Sequence, residues 1–393
     1  MKNTLLFNGC RNGYMITRLM PVILLLFNFI NTDAQMKRAR DHGITFGILQ
    51  TGKYNAITDV PGVKVGHVTI IKGDTVNTGV TAILPHDGNI FQNKVPAAIY
   101  ISNGFGKLTG YSQVNELGNI ETPVILTNTL SVPTAADALI DYTFSFPENR
   151  NVMSVNPVVG ETNDARLNDI RNRHVTKEHV LQAINEADTG SVNEGNVGAG
   201  TGTVCFGFKG GIGTSSRVLP ESVGGYTVGV LVQTNYGGIL QINGVPVGLE
   251  LGRYSFSNIK KEYQEDGSCM IVIMTDAPLR PGNLKRLAAR SLFGLARTGG
   301  SGSNSSGDYA IAVSTAESLR IPYHSKSMYE DWHVLRNDDL DLLFQAVAEA
   351  TEEAIVNSLF AAKAVKARAR PVVEALPVEK VVEIIKSHSK IRE

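Results

Sequence analysis

A serine hydroxyl attacks a carbonyl only when something takes its proton, so the search for chemistry begins with serines that have a base in reach. The stretch 299–317, GGSGSNSSGDYAIAVSTAE, runs a glycine/serine segment straight into a strand-like run that opens on Ser306-Gly307-Asp308. A serine at a chain terminus carries its own base, the free α-amine, whose unperturbed pKa is about 7.7 to 8.0. Cleavage between Ser305 and Ser306 would create that arrangement. Gly307 would let backbone come close to the bond, and the flexible residues before it could strain and then retract. Judged by composition alone, such a stretch is usually a plain loop ahead of a strand.

Other chemistries fit less well. The eight histidines include no His-x-x-x-His or His-Glu-x-x-His pair. His174 and His179 are five apart, which on a helix points them nearly opposite, so a zinc hydrolase is not expected and no metal site is assigned. The Gly-x-Ser-x-Gly elbow fails at Gly302-Ser303-Asn304-Ser305-Ser306, where the last position is serine and no strand precedes. Lys209 stands before the glycines of KGGIGTSSR (209–217) rather than after them, which excludes a Walker loop, and Gly198–Gly202 resembles a dinucleotide turn only loosely. Both are read as tight turns or backbone donors lining a site, and no cofactor is expected.

The elements that must hold these residues are mixed. Strand-like runs rich in β-branched residues recur at 60–71, 97–102, 123–128, 203–208, 226–234, 269–275 and 308–316. Helical periodicity marks 131–142, 283–297 and 339–364, and in the last of these Leu340, Leu343, Phe344, Val347, Ala354, Ile355 and Leu359 recur at three and four. Strands spread along the chain with helices between and after them predict one α+β core. The tail PVEKVVEIIKSH predicts a short amphipathic helix packed on the body or on a partner subunit.

Composition narrows the function classes. In 393 residues, 37 Lys+Arg balance 37 Asp+Glu, which leaves no basic excess to condense on nucleic acid. The three cysteines, Cys10, Cys205 and Cys269, cannot make a disulfide framework, and the latter two sit in apolar runs as small core side chains. Residues 19–30 (LMPVILLLFNFI) follow Lys2, Arg11 and Arg18 and precede Thr32-Asp33-Ala34-Gln35, the order of a signal peptide cleaved after Ala34. A run of that length falls short of the ~20 residues needed to span a bilayer. The expectation is a leader over 1–34 and a periplasmic or secreted mature chain with no stable membrane span.

Beyond these features, several segments carry a resemblance. ETNDARLNDI (161–170), VNEGNVGAGTG with FGFKGGIGTSSR (192–217), VGVLVQTNYG (228–237), LKRLAARSLFGLARTG (284–299), SSGDYAIAVSTA (305–316) and EATEEAIVNSL (349–359) occur in order, after RARDHGITFGILQTGKYNAITDVPGVKVGHVTI (38–70). Together they resemble the P1 (DmpA-like) peptidase family, which includes L-aminopeptidase/D-Ala-esterase/amidase and the β-peptidyl aminopeptidases. The resemblance covers about 39–365.

That resemblance implies a four-layer αββα sandwich that cuts itself before a serine. Matching the Ser-Gly-Asp run places the nucleophile at Ser306 and the cut after Ser305. The products are an α chain, 35–305, and a β chain, 306–393, that completes the same domain. Asn235 matches the oxyanion-hole amide, Glu352 the carboxylate that orients the terminal amine, and Glu161 the acid that receives the substrate's amino group. Relatives commonly offer a tyrosine two residues after this acid, where this chain has Asn163, and a serine two residues before the orienting glutamate, where it has Ala350. Apart from the resemblance, Asn235 reads as an asparagine in a strand-end turn, and Glu352, with Glu349 and Glu353, as a solvated helix face, although the period, which sets Glu352 between Ala350 and Ile355, also allows it to look inward at the boundary of the core.

The implied activity is release of N-terminal residues, L-α, D-α or β, from short peptides, amides or esters through an acyl-enzyme without metal. The implied assembly is a compact oligomer of αβ units, commonly four. Two readings compete with it: an ornithine acetyltransferase-like acyltransferase, which would use a threonine nucleophile, and a catalytically silent exported binding or structural protein.

Overall fold

Alternation is the first physical signal that organises the chain: in 269–275 Cys269, Ile271 and Ile273 pack into one core while Met270, Val272 and Met274 pack into another. A strand buried on both faces has no polar side to give to solvent, so it must sit inside a layered structure. The structure, a computed structural model, describes residues 37–257, 267–367 and 371–389, which belong to one compact unit. The signal-peptide expectation over 1–34 lies outside the described residues.

The strands are β1 (Lys64–Lys72), β2 (Val76–Leu84), β3 (Asn93–Gly104), β4 (Asn119–Ile120), β5 (Val124–Asn128), β6 (Val158–Thr162), β7 (Val204–Cys205), β8 (Phe208–Lys209), β9 (Ile212–Val218), β10 (Thr227–Asn235), β11 (Gly267–Thr275), β12 (Ser306–Ser314) and β13 (Ile321–Pro322). The helices are α1 (Tyr111–Leu117), α2 (Val132–Phe144), α3 (Lys177–Asn185), α4 (Val247–Glu250), α5 (Pro281–Arg297), α6 (Asp341–Phe360) and α7 (Val378–Ser389). A smaller sheet has the order β1-β2-β5-β6, and a larger one the order β13-β3-β12-β11-β10-β9, with β4 on β3. In the larger sheet β12 lies between β3, antiparallel to it, and β11, parallel to it.

Three of the cores among the described residues follow from this. Val65, Ile83, Leu126 and Val158 of the smaller sheet meet Ile99, Leu231, Met270 and Ile311 of the larger. On its other face the smaller sheet packs Val80 and Ile125 on Leu139 of α2 and Val180 of α3. The larger sheet packs Val230, Ile271 and Ala310 on Leu284 and Leu287 of α5 and Val347 and Ile355 of α6. Pro281, at the first helical position, lacks only an N–H that would have no partner there, which sets the start of α5.

Helix α6 departs from the amphipathic pattern its periodicity predicts. From Ala346 to Phe360 every residue is buried, including Glu349, Glu352 and Glu353, so the expected solvated face does not exist. The fully buried Arg217 guanidinium of β9 explains why: it meets Glu349 at 3.0 Å and Glu353 at 2.8 Å. Glu353 also takes Arg40 Nε at 2.6 Å and Asn55 Nδ2 at 2.6 Å, and Glu349 takes the backbone N–H of Ile48 at 2.9 Å. Burial alone would raise the Glu353 pKa, but Arg40, Arg217 and Asn55 outweigh it and hold the carboxyl below its ordinary value. Gly213 of β9 lets α6 approach this closely, since a Cβ there would lie 1.9 Å from the Ala354 carbonyl oxygen.

Three expectations from the sequence are corrected. The run 203–208 is not one strand, because Phe206 and Gly207 both adopt positive φ (51° and 75°) and fold it into the two-residue arms β7 and β8. The run 209–217 is not a turn throughout, since Ile212–Val218 forms β9, its small Thr and Ser side chains buried under α6. Helix α6 ends at Phe360 rather than 364, where the chain leaves the helix and Lys363 pairs with Asn196 through N–H···Oδ1 at 3.0 Å and Nδ2–H···O at 2.8 Å.

Replacing Arg217 by methionine would leave two buried carboxylates without their shared cation. Breaking a buried ion pair in this one-sided way costs about 3–5 kcal/mol. R217M is expected to lose at least that much in urea unfolding, and a loss below about 1 kcal/mol would show that the cluster does not hold α6 in place.

Candidate active site

Ser306 is the first residue of β12, buried to 1% exposure, in the middle of the larger sheet. Residues two apart on a strand share a face, so the Asp308 side chain stands beside that of Ser306. The Ser306 hydroxyl donates to Asp308 Oδ1 at 2.7 Å. Burial raises the Asp308 pKa above its ordinary value, against the hydrogen bond from Ser306 that lowers it. On β11, Gly267 faces Ser306 in register, and a Cβ there would lie 3.2 Å from Ser306 Oγ, so the space around this hydroxyl depends on a missing side chain.

Before Ser306 the chain makes a tight turn in which Ser306 N–H donates to the Ser303 carbonyl at 2.9 Å. Ser305 lies inside that turn. Asn103, at the end of β3, reaches across with Nδ2 to the carbonyls of Ser303 (3.0 Å), Asn304 (3.2 Å) and Ser306. The glycine/serine segment is thus held at both ends of the Ser305–Ser306 bond.

Asn235 closes β10 at the same edge of the sheet. It pairs with Ser268 of β11, which pairs with Gly307 of β12, so two strand spacings, about 9.5 Å, separate its backbone from the start of β12. Its Oδ1 accepts Val204 N–H at 3.0 Å and its Nδ2 donates to the Asn163 carbonyl at 3.0 Å, which fixes the amide and, among the described residues, occupies one of its two N–H donors. Asn163 itself is exposed, with Oδ1 accepting Ala165 N–H at 3.0 Å in a local turn. The link from this segment to Asn235 therefore runs through the Asn163 backbone rather than its side chain.

Glu161, on β6 of the smaller sheet, is 2% exposed. Its Oε1 accepts Lys107 N–H at 2.9 Å and its Oε2 accepts the Thr129 hydroxyl. Among the described residues no Lys, Arg or His forms a salt bridge with it, and burial raises its pKa above the ordinary value, against the bonds from Thr129 and Lys107. A buried carboxylate outside any salt bridge, with the Lys107 charge acting on it only through space, is a ready seat for an ammonium group. Gly106 separates it from the Tyr309 phenol: a Cβ on Gly106 would stand 3.1 Å from both Glu161 Oε1 and Tyr309 Oη. Nearby Asp164 is pushed up to about 7 by burial, with the Glu161 charge adding to the shift.

Glu352 is placed on α6, where its Oε2 lies 3.5 Å from Arg297 Nη1 at the end of α5, just ahead of the glycine/serine segment. Burial raises its pKa against the opposing Arg297 charge. Among the described residues no hydrogen bond joins Glu352 to Ser306. At Ala350 the side chain is fully buried in the core under the larger sheet, and Thr351 Oγ1 donates to the Val347 carbonyl within the helix. Among the described residues no cluster of three His, Cys, Asp or Glu is placed to hold a metal ion, and no helix is long and apolar enough to cross a membrane.

Reading the residues in order did not assign roles to Asp308, Asn103, Lys107 or Thr129. Asp308 carried a usable signal, its two-residue spacing from Ser306 in a strand. Asn103 and Thr129 act across 203 and 32 residues of chain, respectively, and nothing local marks them.

The family model for peptidase family S58 matches residues 55–373. The chain belongs to this family. Among its relatives, the beta-peptidyl aminopeptidase BapA of Sphingosinicella microcystinivorans is 40% identical over 379 residues, covering 91% of this chain and 94% of that protein. A Burkholderia sp. beta-aminopeptidase structure superposes with a TM-score of 0.79 at 41% identity, covering 89% of this chain and 99% of that one. The L-aminopeptidase D-Ala-esterase/amidase of Ochrobactrum anthropi, described as a prototype for the serine aminopeptidases and a variant of the Ntn hydrolase fold, gives a TM-score of 0.82 at 36% identity over 90% of this chain and 99% of its own. This S58 member is accordingly a serine aminopeptidase/amidase with an α+β fold.

Proposed function

We propose that this enzyme cuts its own chain between Ser305 and Ser306 and then uses the new terminal serine to release N-terminal residues, β-amino acids among them, from short peptides, amides and esters. The observation that carries the reading is the placement of Ser306. It begins a central strand with its hydroxyl hydrogen-bonded, directly after a clamped turn, on a chain that also buries the Glu161 carboxylate without a salt-bridge partner. The α-amine freed by the cut acts as the base for Ser306 Oγ, since its pKa of about 7.7 to 8.0 suits proton transfer near neutrality. Asn235 presents an amide donor to the developing oxyanion, a contact worth about 3–4 kcal/mol in enzymes of this kind. Glu161 receives the substrate ammonium, which selects a free amino terminus over an internal peptide bond. Glu352 is the carboxylate that orients the terminal amine in this reading.

In this reading 35–305 is the α chain, and 306–393, the β chain, completes the same domain. The layers would then run helix, sheet, sheet, helix, and αβ units would assemble into an oligomer, commonly of four. β-Amino acid preference rests on the relatives named for it. Export rests on the basic, apolar and polar order of residues 1–34. N-terminal sequencing of protein recovered from a double-membraned bacterial host should begin near Gln35, and finding only unprocessed protein in the cytosol would reject export.

Intact-mass measurement tests the central step. Wild type should resolve into two pieces split before Ser306, and Ser306→Ala (S306A) should stay one chain without hydrolase activity. Recovery of the same two pieces from S306A would place the bond or its nucleophile elsewhere.

Glu161→Gln (E161Q) separates substrate selection from chemistry, because maturation has no external amino terminus to bind. E161Q should fold and cleave itself but lose most turnover of free-amine aminoacyl amides, while its N-acetylated analogues gain relatively. An unpaired buried charge costs several kcal/mol and each 1.4 kcal/mol is tenfold, so the ratio of kcat/KM for the two substrates should shift at least a hundredfold. Ammonium binding needs the ionised acid, so wild-type kcat/KM for free amines should also fall as pH drops through the raised Glu161 pKa. An unchanged ratio would reject Glu161 as the anchor, even if both rates fell.

A further inference from the structure

The α-amine that serves the mature enzyme as base does not exist before the cut. Until then that nitrogen is an amide, its lone pair delocalised into the Ser305 carbonyl, and it cannot take a proton from Ser306 Oγ. Maturation therefore needs a second base, one that already touches the hydroxyl in the continuous chain. Asp308 is so placed, with Oδ1 2.7 Å from Ser306 Oγ. Among the described residues no hydrogen bond joins Glu352 to that hydroxyl.

Resting on the self-cleavage reading above, we propose that Asp308 is the catalytic base of maturation, taking the Ser306 hydroxyl proton to start the cut and returning it to the departing nitrogen. Three features of the fold support this. The strand period sets Ser306 and Asp308 on one face, and the ladder to β3 shifts register directly after Asp308. Asp308 stands opposite Asn103 in register, and the Asn103 amide binds the carbonyls of Ser303, Asn304 and Ser306, so one strand end holds the scissile turn while its neighbour holds the base. Burial, which raises the affinity of Asp308 for a proton, makes it a better acceptor than an exposed carboxylate.

The step balances as follows. The Asp308 carboxylate accepts the Oγ proton as Oγ bonds to the Ser305 carbonyl carbon. The bond from that carbon to the Ser306 nitrogen then breaks, and protonated Asp308 gives its proton to the leaving nitrogen, which becomes the free α-amine. Residue 305 is left as an ester on Ser306 Oγ. Water hydrolyses that ester, releasing the Ser305 carboxyl group and restoring the hydroxyl.

The test uses the full chain made by cell-free synthesis, with intact mass followed over time in the presence and absence of hydroxylamine, which attacks esters. Wild type should cleave, and hydroxylamine should speed the appearance of fragments. Asp308→Asn (D308N) keeps the shape and removes the base; it should melt cooperatively as one folded chain, cleave about 10²–10⁴-fold more slowly and gain no speed from hydroxylamine, since forming the ester is then the slow step. Asp308→Glu (D308E) keeps a carboxylate and should recover part of the rate. D308N cleaving at the wild-type rate, or D308E stalling as fully as D308N while folded, would overturn the role of Asp308. Wild type remaining a single chain would instead reject self-cleavage itself, so the two ideas fail in different ways.

Discussion

The fully buried guanidinium of Arg217 is the constraint on which the rest of the structure turns. A charge taken out of water must be matched completely or it destabilises the fold, and Arg217 is matched by Glu349 and Glu353 on α6, by Ser215 and by the Phe46 carbonyl. That one side chain joins the first described segment, strand β9 and helix α6. Helix α6 in turn packs on α5, whose end feeds the turn before Ser306. Errors in α6 would therefore reach the nucleophile through α5, and through the β9–β10 pair they would reach Asn235.

A chain cut in the middle of a sheet could be expected to come apart. Here the proposed break falls before the first residue of β12, and every ladder bond of that strand to β3 and β11 lies after it. The new terminus would gain freedom on its loop side only, while the strand stays held on both edges. In the proposed function the same arrangement gives one short segment two tasks, since it supplies both the bond to be cut and the group that later attacks substrate.

Two sheets contribute different halves of the site. The larger brings Ser306, Asp308 and Asn235 to one edge, which suits acyl transfer; the smaller brings Glu161, which suits recognition of an amine. Gly106 and Gly267 keep the approaches open, each at a point where a Cβ would crowd a reacting or binding group. In the proposed function, chemistry and selection are thus carried on separate sheets.

The sequence by itself determined the elements whose periodicity is strong and the residues whose types are rare. Alternation at 269–275 and the three-and-four spacing of 283–297 marked β11 and α5 because apolar burial repeats with the backbone period. Ser306 stood out because a glycine/serine run meets a strand there, and the family resemblance added Asn235, Glu161, Asn163 and Glu352. Strands β2, β6 and β9 were not legible: their Gly, Thr and Ser residues look like loop composition until neighbouring layers bury them. Only the tertiary structure decided that Glu349 and Glu353 are internal charges, that Asn103 spans the turn before Ser306, and that Glu161 forms no salt bridge among the described residues. Each of these depends on groups far apart in the chain meeting in a dry interior, where desolvation and pairing, rather than local spacing, set what a side chain can do.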